Sequence, residues 1–271
     1  MAFDLNSFVI DRPVRGIMRD TATGELLWMV NQIEDPTLTM DSESTDAVDA
    51  IGVPIMNFER NKSCEFSASN SLLDLGLLAA QSGSTKKVAG GSVTFDVTTI
   101  EEITWVAGSD VTLKHVPIGT TGNEIPFIYA LNGDGTYGTK YTIGAAAGAG
   151  VYKVVPATKK ITPPTDVTTQ ERALVIYKYT ADGSANNGAV QVSGDAVNFP
   201  AAGRFMLEVL GADTCNISTK YYGYLEFPQA KLTSQFDITM TTDGKHPFTI
   251  RCMQEYCDAE KKLFTLTVPE A

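Results

Sequence analysis

A chain of 271 residues with 43% hydrophobic and 9% aromatic content is long enough to bury one large β domain or two smaller cores. Its 32 acidic against 21 basic residues leave a net charge of −11, which argues against direct nucleic-acid binding, because that rests on Lys and Arg neutralising phosphates. No apolar run approaches the ~20 residues of a membrane span. The start Met1-Ala-Phe-Asp-Leu-Asn-Ser-Phe lacks the basic and apolar regions of a secretory signal, so a soluble protein made in a cytoplasm, with no membrane partner, is expected.

Residues 1–15 form an N-terminal arm, with Phe3, Leu5, Phe8, Val9 and Ile10 among polar residues and Pro13 closing it. Such an arm either folds back on its own domain or lies on a neighbour. Arg15–Arg19 and Leu26–Ile33 then flank Asp20-Thr-Ala-Thr-Gly-Glu as a hairpin. After Asp35-Pro36, a polar segment carries Asp41, Glu43, Asp46 and Asp49 within nine residues. It reads as an acidic loop at the base of a second hairpin, whose arms are Val53–Phe58 and Ser63–Ser69 and whose basic tip holds Arg60 and Lys62. One helix is predicted over about 70–82, capped by Ser69 or Asn70, with Leu72, Leu75, Leu78 and Ala79 on one face. Ser92–Ile100 alternates as a strand.

From Gly108 to Gly194 the texture changes to Gly, Ala, Thr and Pro, with short strands near Val111, Pro126, Val151 and Ala173. Strands at ~8–12-residue spacing between turn signals predict a β-rich insertion over 108–194. The core is then expected from 16–107 and 195–271. Longer strands resume at Gly203–Leu210. In the last stretch Phe236, Ile238 and Met240 alternate with polar residues, Thr242-Asp-Gly-Lys makes a turn, and Phe248–Met253 and Leu263–Val268 follow as strands.

The chemistry-bearing residues form no familiar constellation. The four cysteines, Cys64, Cys215, Cys252 and Cys257, include no C-x2-C pair, and only His115 and His246 could join them in a zinc site, so buried reduced thiols are expected. There is no G-x-S-x-G, H-E-x-x-H, P-loop or G-x-G-x-x-G, and Asn132-Gly-Asp-Gly lacks the spacing of a calcium loop. Glu101-Glu102 would serve acid–base work only if a cleft assembled them. No enzyme activity, cofactor or metal is expected.

Two stretches resemble bacteriophage tail tube (major tail) proteins. One is Thr37–Met40 leading to Gly52-Val-Pro-Ile and Asn70-Ser-Leu-Leu-Asp-Leu-Gly-Leu-Leu-Ala-Ala-Gln-Ser-Gly. The other is Gly203-Arg-Phe, Phe227-Pro-Gln-Ala-Lys-Leu and Thr242-Asp-Gly-Lys-His-Pro-Phe. The resemblance spans about 16–106 and 200–271. It implies a mainly β fold, a tail-tube-like β-sandwich or barrel with one flanking helix (about 70–82), and the Gly-rich β insertion read from 108–194 is added to that fold without having a part in the resemblance. It further implies hexameric rings stacked into a tube that conducts DNA during ejection without binding it specifically, whereas the negative charge is otherwise explained by solubility alone. The partners would be sister copies and neighbouring tail proteins (tape measure, terminator, baseplate or tip), in a virion tail assembled in the host cytoplasm. Phe3, Leu5 and Phe8 of the arm, with Asp41, Glu43, Asp46, Asp49, Arg60 and Lys62, are the candidate contacts between rings. A capsid decoration protein, another virion structural protein and a carbohydrate-binding or adhesin-like β module remain the alternatives.

Overall fold

The computed structural model describes residues 5, 7–214, 216–255 and 260–270. Strands dominate it. In chain order they begin with β1 (Phe8–Arg19), β2 (Leu26–Val30), β3 (Ile33–Val48) and β4 (Pro54–Asn70), followed by the helix α1 (Leu75–Gln81). Next come β5 (Lys87–Val88), β6 (Phe95–Trp105), β7 (Val111–Thr112), β8 (Phe127–Leu131), β9 (Tyr137–Ile143), β10 (Val151–Val155), β11 (Lys160–Thr162), β12 (Glu171–Ala181) and β13 (Val190–Gln191). The chain closes with β14 (Ala202–Asp213), β15 (Asn216–Leu232), β16 (His246–Met253) and β17 (Thr265–Thr267). They are gathered into two units, residues 1–86 with 192–271, and residues 87–191. Strand β6, expected within the first of these, belongs to the second, which starts at Lys87 rather than near Gly108.

The first unit is one antiparallel sheet in the order β2-β1-β14-β15-β16-β4-β3, with β17 added to β15. Its two end strands are consecutive in the chain. β2 stops at Val30 and β3 starts at Ile33, so the sheet must curl until its ends lie a few residues' reach apart. The aromatic residues show the closure. Trp28 of β2 lies 5.6 Å from Phe205 of β14 and 5.8 Å from Phe248 of β16, and Phe66 of β4 lies 5.5 Å from Phe205 and 5.8 Å from Phe227 of β15. Rings from five strands thus meet in one core, at the centroid spacing that offset and edge-on pairs prefer.

The second unit repeats the device with other residues. Its seven strands run β6-β12-β8-β9-β10-β11-β7, and the end strands β6 and β7 are again chain neighbours, six residues apart from Trp105 to Val111. Trp105, Ile125, Ile128, Tyr152, Ile161, Ala173 and Val175 are buried inside. The Tyr152 hydroxyl donates to the Ile125 carbonyl, which lets a polar tip enter an apolar core. β5 and β13 form a separate two-stranded ladder in this unit.

The helix departs from expectation at its start. It runs Leu75–Gln81, and its cap is Asp74, whose Oδ1 accepts from Leu77 N at 2.7 Å. Ser69 and Asn70 are still strand, and Asn70 turns its side chain to Gln32 N and the Leu72 carbonyl. Leu72 and Leu73 precede the helix and are exposed, while Leu77 and Ala79 face the core. Both ends of this short helix are tied to one buried imidazole. Asp74 N donates to His246 Nδ1 at 3.3 Å, so Nε2 carries the proton and donates to Gln81 Oε1 at 2.7 Å. Gln81 in turn donates from Nε2 to the Pro247 carbonyl at 3.0 Å.

The run Phe236–Thr241 is a second departure. Its apolar residues alternate as expected, and Phe236 and Ile238 are half-buried, but it joins no ladder. Phe236 packs near His246, with ring centroids 6.4 Å apart, so one face is satisfied by packing rather than by a partner strand. The Asp243-Gly244 turn therefore leads into β16 without closing a hairpin. The last strand is shorter than Leu263–Val268, at Thr265–Thr267.

Two outcomes follow from these contacts. Burial holds the His246 imidazole below its usual 6.5, with the Asp74 carboxylate pulling the other way. The unfolded chain then takes up a proton that the folded chain refuses. Stability is fully present above about 6.5 and falls as the pH drops below it, by at most ~1.4 kcal/mol per pH unit. Urea titrations at pH 7.5 and 5.5 check this, and His246→Gln flattens the difference. Separately, residues 87–191 expressed alone unfold cooperatively in calorimetry, because that unit's core and sheet are complete within it.

Candidate subunit interface

The interface candidates begin where β3 and β4 leave the core. The two strands pair along almost their whole length, from Ile33 opposite Asn70 to Val48 opposite Pro54. On β4 the buried alternation starts at Cys64 and continues through Phe66, Ala68 and Asn70, whereas every residue from Pro54 to Ser63 is exposed. β16 borders β4 only over Cys64–Asn70. Beyond that point the hairpin is a two-stranded ribbon with both faces wet and both outer edges unpaired, which is marginal in water on its own.

This geometry reverses the reading of the acidic segment. Asp41, Glu43 and Asp46 lie within strand β3, and the tip is the turn at 49–53 rather than Glu59–Lys62. The Asp49 carboxylate holds that tip, with Oδ1 accepting from Ile51 N at 2.9 Å and Val53 N at 2.8 Å, and Gly52 takes φ +89°. Arg60 sits opposite Glu43 in mid-strand, next to a bulge at Asn61 (φ 52°) whose amide donates to Glu43 Oε2 at 2.8 Å. Asn57 likewise donates to Asp46 Oδ1 at 2.6 Å. Asp41 accepts from Ser42 N, and Lys62 is exposed on β4 close to the bulge. The structure therefore brings Asp41, Glu43, Asp46, Asp49, Arg60 and Lys62 onto one ribbon. The acids escaped recognition as a strand because their neighbours are polar on both faces, so no period-two signal exists.

The same ribbon carries apolar residues as well, most of them in the arm Val53–Phe58. Val48, Ile51, Val53, Ile55, Met56 and Phe58 are exposed, from 45% for Phe58 to 86% for Ile51 at the tip. An apolar cluster of this kind on a projecting element marks a contact surface.

A second unfinished ribbon lies at the other end of the sheet's middle. β1, β14 and β15 pair side by side, but β2 covers β1 only from Gly16 to Arg19. On the far side β17 and β16 cover β15 only at Tyr224–Glu226 and Gln229–Leu232. The end comprising Phe8–Pro13, Val209–Asp213 and Asn216–Gly223 thus pairs as three strands, and over Phe8–Pro13 the outer edge of β1 has no partner strand among the described residues. Phe8, a candidate contact, is half-buried on its own subunit. A Cβ added at Gly211 would lie 2.5 Å from its ring, and one at Gly223 3.2 Å, so both glycines make room for it. Leu5 is half-buried ahead of the strand, and Phe3 lies outside the described residues.

The other chemistry-bearing groups stay apart. Glu101 and Glu102 point to opposite faces of β6. Glu101 is buried and accepts from the Tyr177 hydroxyl at 2.8 Å, while Glu102 is exposed and paired with Arg172 at 2.6 Å. His115 stacks on Tyr179 at 3.8 Å. Among the described residues no three His, Cys, Asp or Glu side chains are grouped for a metal, and no helix is long and apolar enough to cross a membrane.

A mainly β chain with a long projecting hairpin, no grouped metal-ligating side chains among the described residues and an uncovered β1 edge has the build of a structural protein. Comparison with known families agrees. The chain belongs to the YomU/Tube protein family, whose model matches residues 9–263, and it is a structural protein of the phage tail tube class. No curated protein matches it.

If the distal hairpin serves contact rather than folding, Ile51→Asp and Ile55→Asp change the urea-unfolding free energy of the dispersed subunit by less than about 0.5 kcal/mol. Phe66→Ala at the root of the same strand costs ~3–5 kcal/mol. A large loss from the Ile51 variant would place the tip in the fold itself.

Proposed function

We propose that the chain builds the wall of the tail tube as hexameric rings stacked around a lumen through which DNA leaves the virion. The observation that supports this reading most is the pair of unfinished ribbons in a chain of the tube family. The open outer edge of β1 at Phe8–Pro13 joins a sister copy side by side, so that backbone groups left unpaired there in one copy are satisfied by the next. The β3–β4 hairpin reaches along the tube to the adjacent ring. There Val48, Ile51, Ile55 and Phe58 form the dry centre of the contact, with Asp41, Glu43, Asp46, Asp49, Arg60 and Lys62 at its charged rim.

The magnitudes suit such a division. Burying the exposed parts of these apolar side chains is worth on the order of 10 kcal/mol, at about 25 cal/mol per Å². That gain is of the same size as the cost of association, so one hairpin binds weakly and a ring carrying six binds firmly. The net negative charge keeps the passing duplex from adhering, and it does so by repulsion rather than by any specific DNA contact. Neighbouring tail proteins (tape measure, terminator, and baseplate or tip) cap the tube's ends, in a virion tail put together in the host cytoplasm.

Negative-stain electron microscopy of the purified protein shows tubes or six-fold rings on this reading. Separate globules at every concentration would overturn it. Replacing 46–57 by a two-residue Asn-Gly turn, which joins the opposed pair Thr45 and Phe58, leaves folded subunits and rings but no long tubes. Asp46→Lys shifts the protein concentration needed for tube growth, and the shift shrinks as salt is raised from 50 to about 500 mM.

A further inference from the structure

Cys64 and Cys252 face each other across the β4–β16 ladder. Directly opposed residues of an antiparallel pair have Cα atoms ~4.5–5.5 Å apart, within the span a disulfide bridges. The two thiols are free and in side-chain contact with one another. Cys64 is also the first buried residue of β4, the point at which the packed sheet gives way to the wet hairpin. Cys252 is partly accessible, so a small reagent can reach it.

We propose that Cys64 and Cys252 close a cross-strand disulfide that clamps the root of the hairpin to the sheet once the protein meets an oxidising small-molecule disulfide. The Cys252 thiolate attacks one sulfur of that disulfide, forming a mixed disulfide and releasing one thiolate. The Cys64 thiolate then attacks the Cys252 sulfur and expels the second. Two protein thiols are oxidised, one external disulfide is reduced, and the two protons end on the released thiols. Burial raises both protein thiols above the usual range, so they are protonated at neutral pH and closure is slow in the folded chain. A chain in a reducing cytoplasm stays open, and one in an oxidising medium closes with time. The bridge encloses most of the sequence, which makes its effect on the unfolded chain large. This inference rests on the ladder alone and holds whether or not rings form.

The test uses the full chain as purified, incubated with oxidised glutathione for a day and mapped by mass spectrometry without reduction. The expected result is a Cys64–Cys252 linked peptide and a Tm raised by roughly 5–15 °C over the reduced protein, an increase abolished by added reductant and absent from Cys252→Ala. Free thiols at both positions, a glutathione adduct on Cys252 that never resolves, or linkage to Cys215 or Cys257 instead would each overturn the proposal. So would a Cys64–Cys252 bridge that leaves the Tm unchanged.

Discussion

The contact of Phe66 with Phe205 and Phe227 sets the form of the first unit, because it decides where β4 stops being core. A strand of seventeen residues is far longer than a small barrel needs. The aromatic cluster grips only its last third, and the remainder must run out into solvent with its partner β3. The curl brings Trp28 of the end strand β2 against the same cluster, within a few residues of where β3 begins. The curl cannot also cover the distal hairpin, whose outer edges lie past the last ring. Closure of the core and exposure of the hairpin are therefore one geometric fact.

His246 does the complementary work at the sheet's other margin. A seven-residue helix is too short to hold itself together, since the cost of nucleation falls on few hydrogen bonds. Here the imidazole satisfies a backbone N–H at the helix start and a side-chain amide at its end, and the ring is fully buried. The polar groups in this corner are all paired, so the burial carries no open penalty at neutral pH. Protonation would turn the acceptor at Nδ1 into a donor facing a donor, which is why the helix is coupled to acid rather than to salt.

Elements with a repeating signal were legible from the residues. β6, β12, β14 and β16 alternate between core and solvent; β12, β14 and β16 lie within about three residues of their expected ends, whereas β6 runs five residues past Ile100. The failures share a cause. The acids of β3 have polar neighbours on both faces, so the strand exists only because β4 lies beside it, and no local pattern reveals that. Phe236–Thr241 has the opposite problem, a correct alternation whose buried face rests on His246 while no strand takes its edge. The helix start was misplaced by five residues because Ser69, Asn70 and Asp74 are all competent caps, and only the ladder to His246 consumes the first two. Of the candidate contacts, the charged ones stand out by their spacing, and the structure sets them on one ribbon. The apolar tip residues do not stand out, since an Ile in a strand-like run is ordinarily assigned to the core.

The whole-chain charge gains meaning from where its acids are paired. On the β1–β14–β15 face Arg15 meets Glu208, Arg204 meets Glu226 and Lys220 meets Asp11, so that surface is close to balanced. The two exposed pairs, Arg204–Glu226 and Lys220–Asp11, add at most ~1 kcal/mol each to stability, but with the part-buried Arg15–Glu208 pair they cancel the field locally. On the distal hairpin Asp41, Glu43, Asp46, Asp49 and Glu59 have no ion pair among the described residues, against Arg60 and Lys62 alone. A good part of the negative surplus is thus concentrated on the element whose apolar tip most needs cover. Like charge on the hairpin disfavours burying two tips against each other, which is the electrostatic reason the proposed contact joins the hairpin to a different surface, head to tail along an axis.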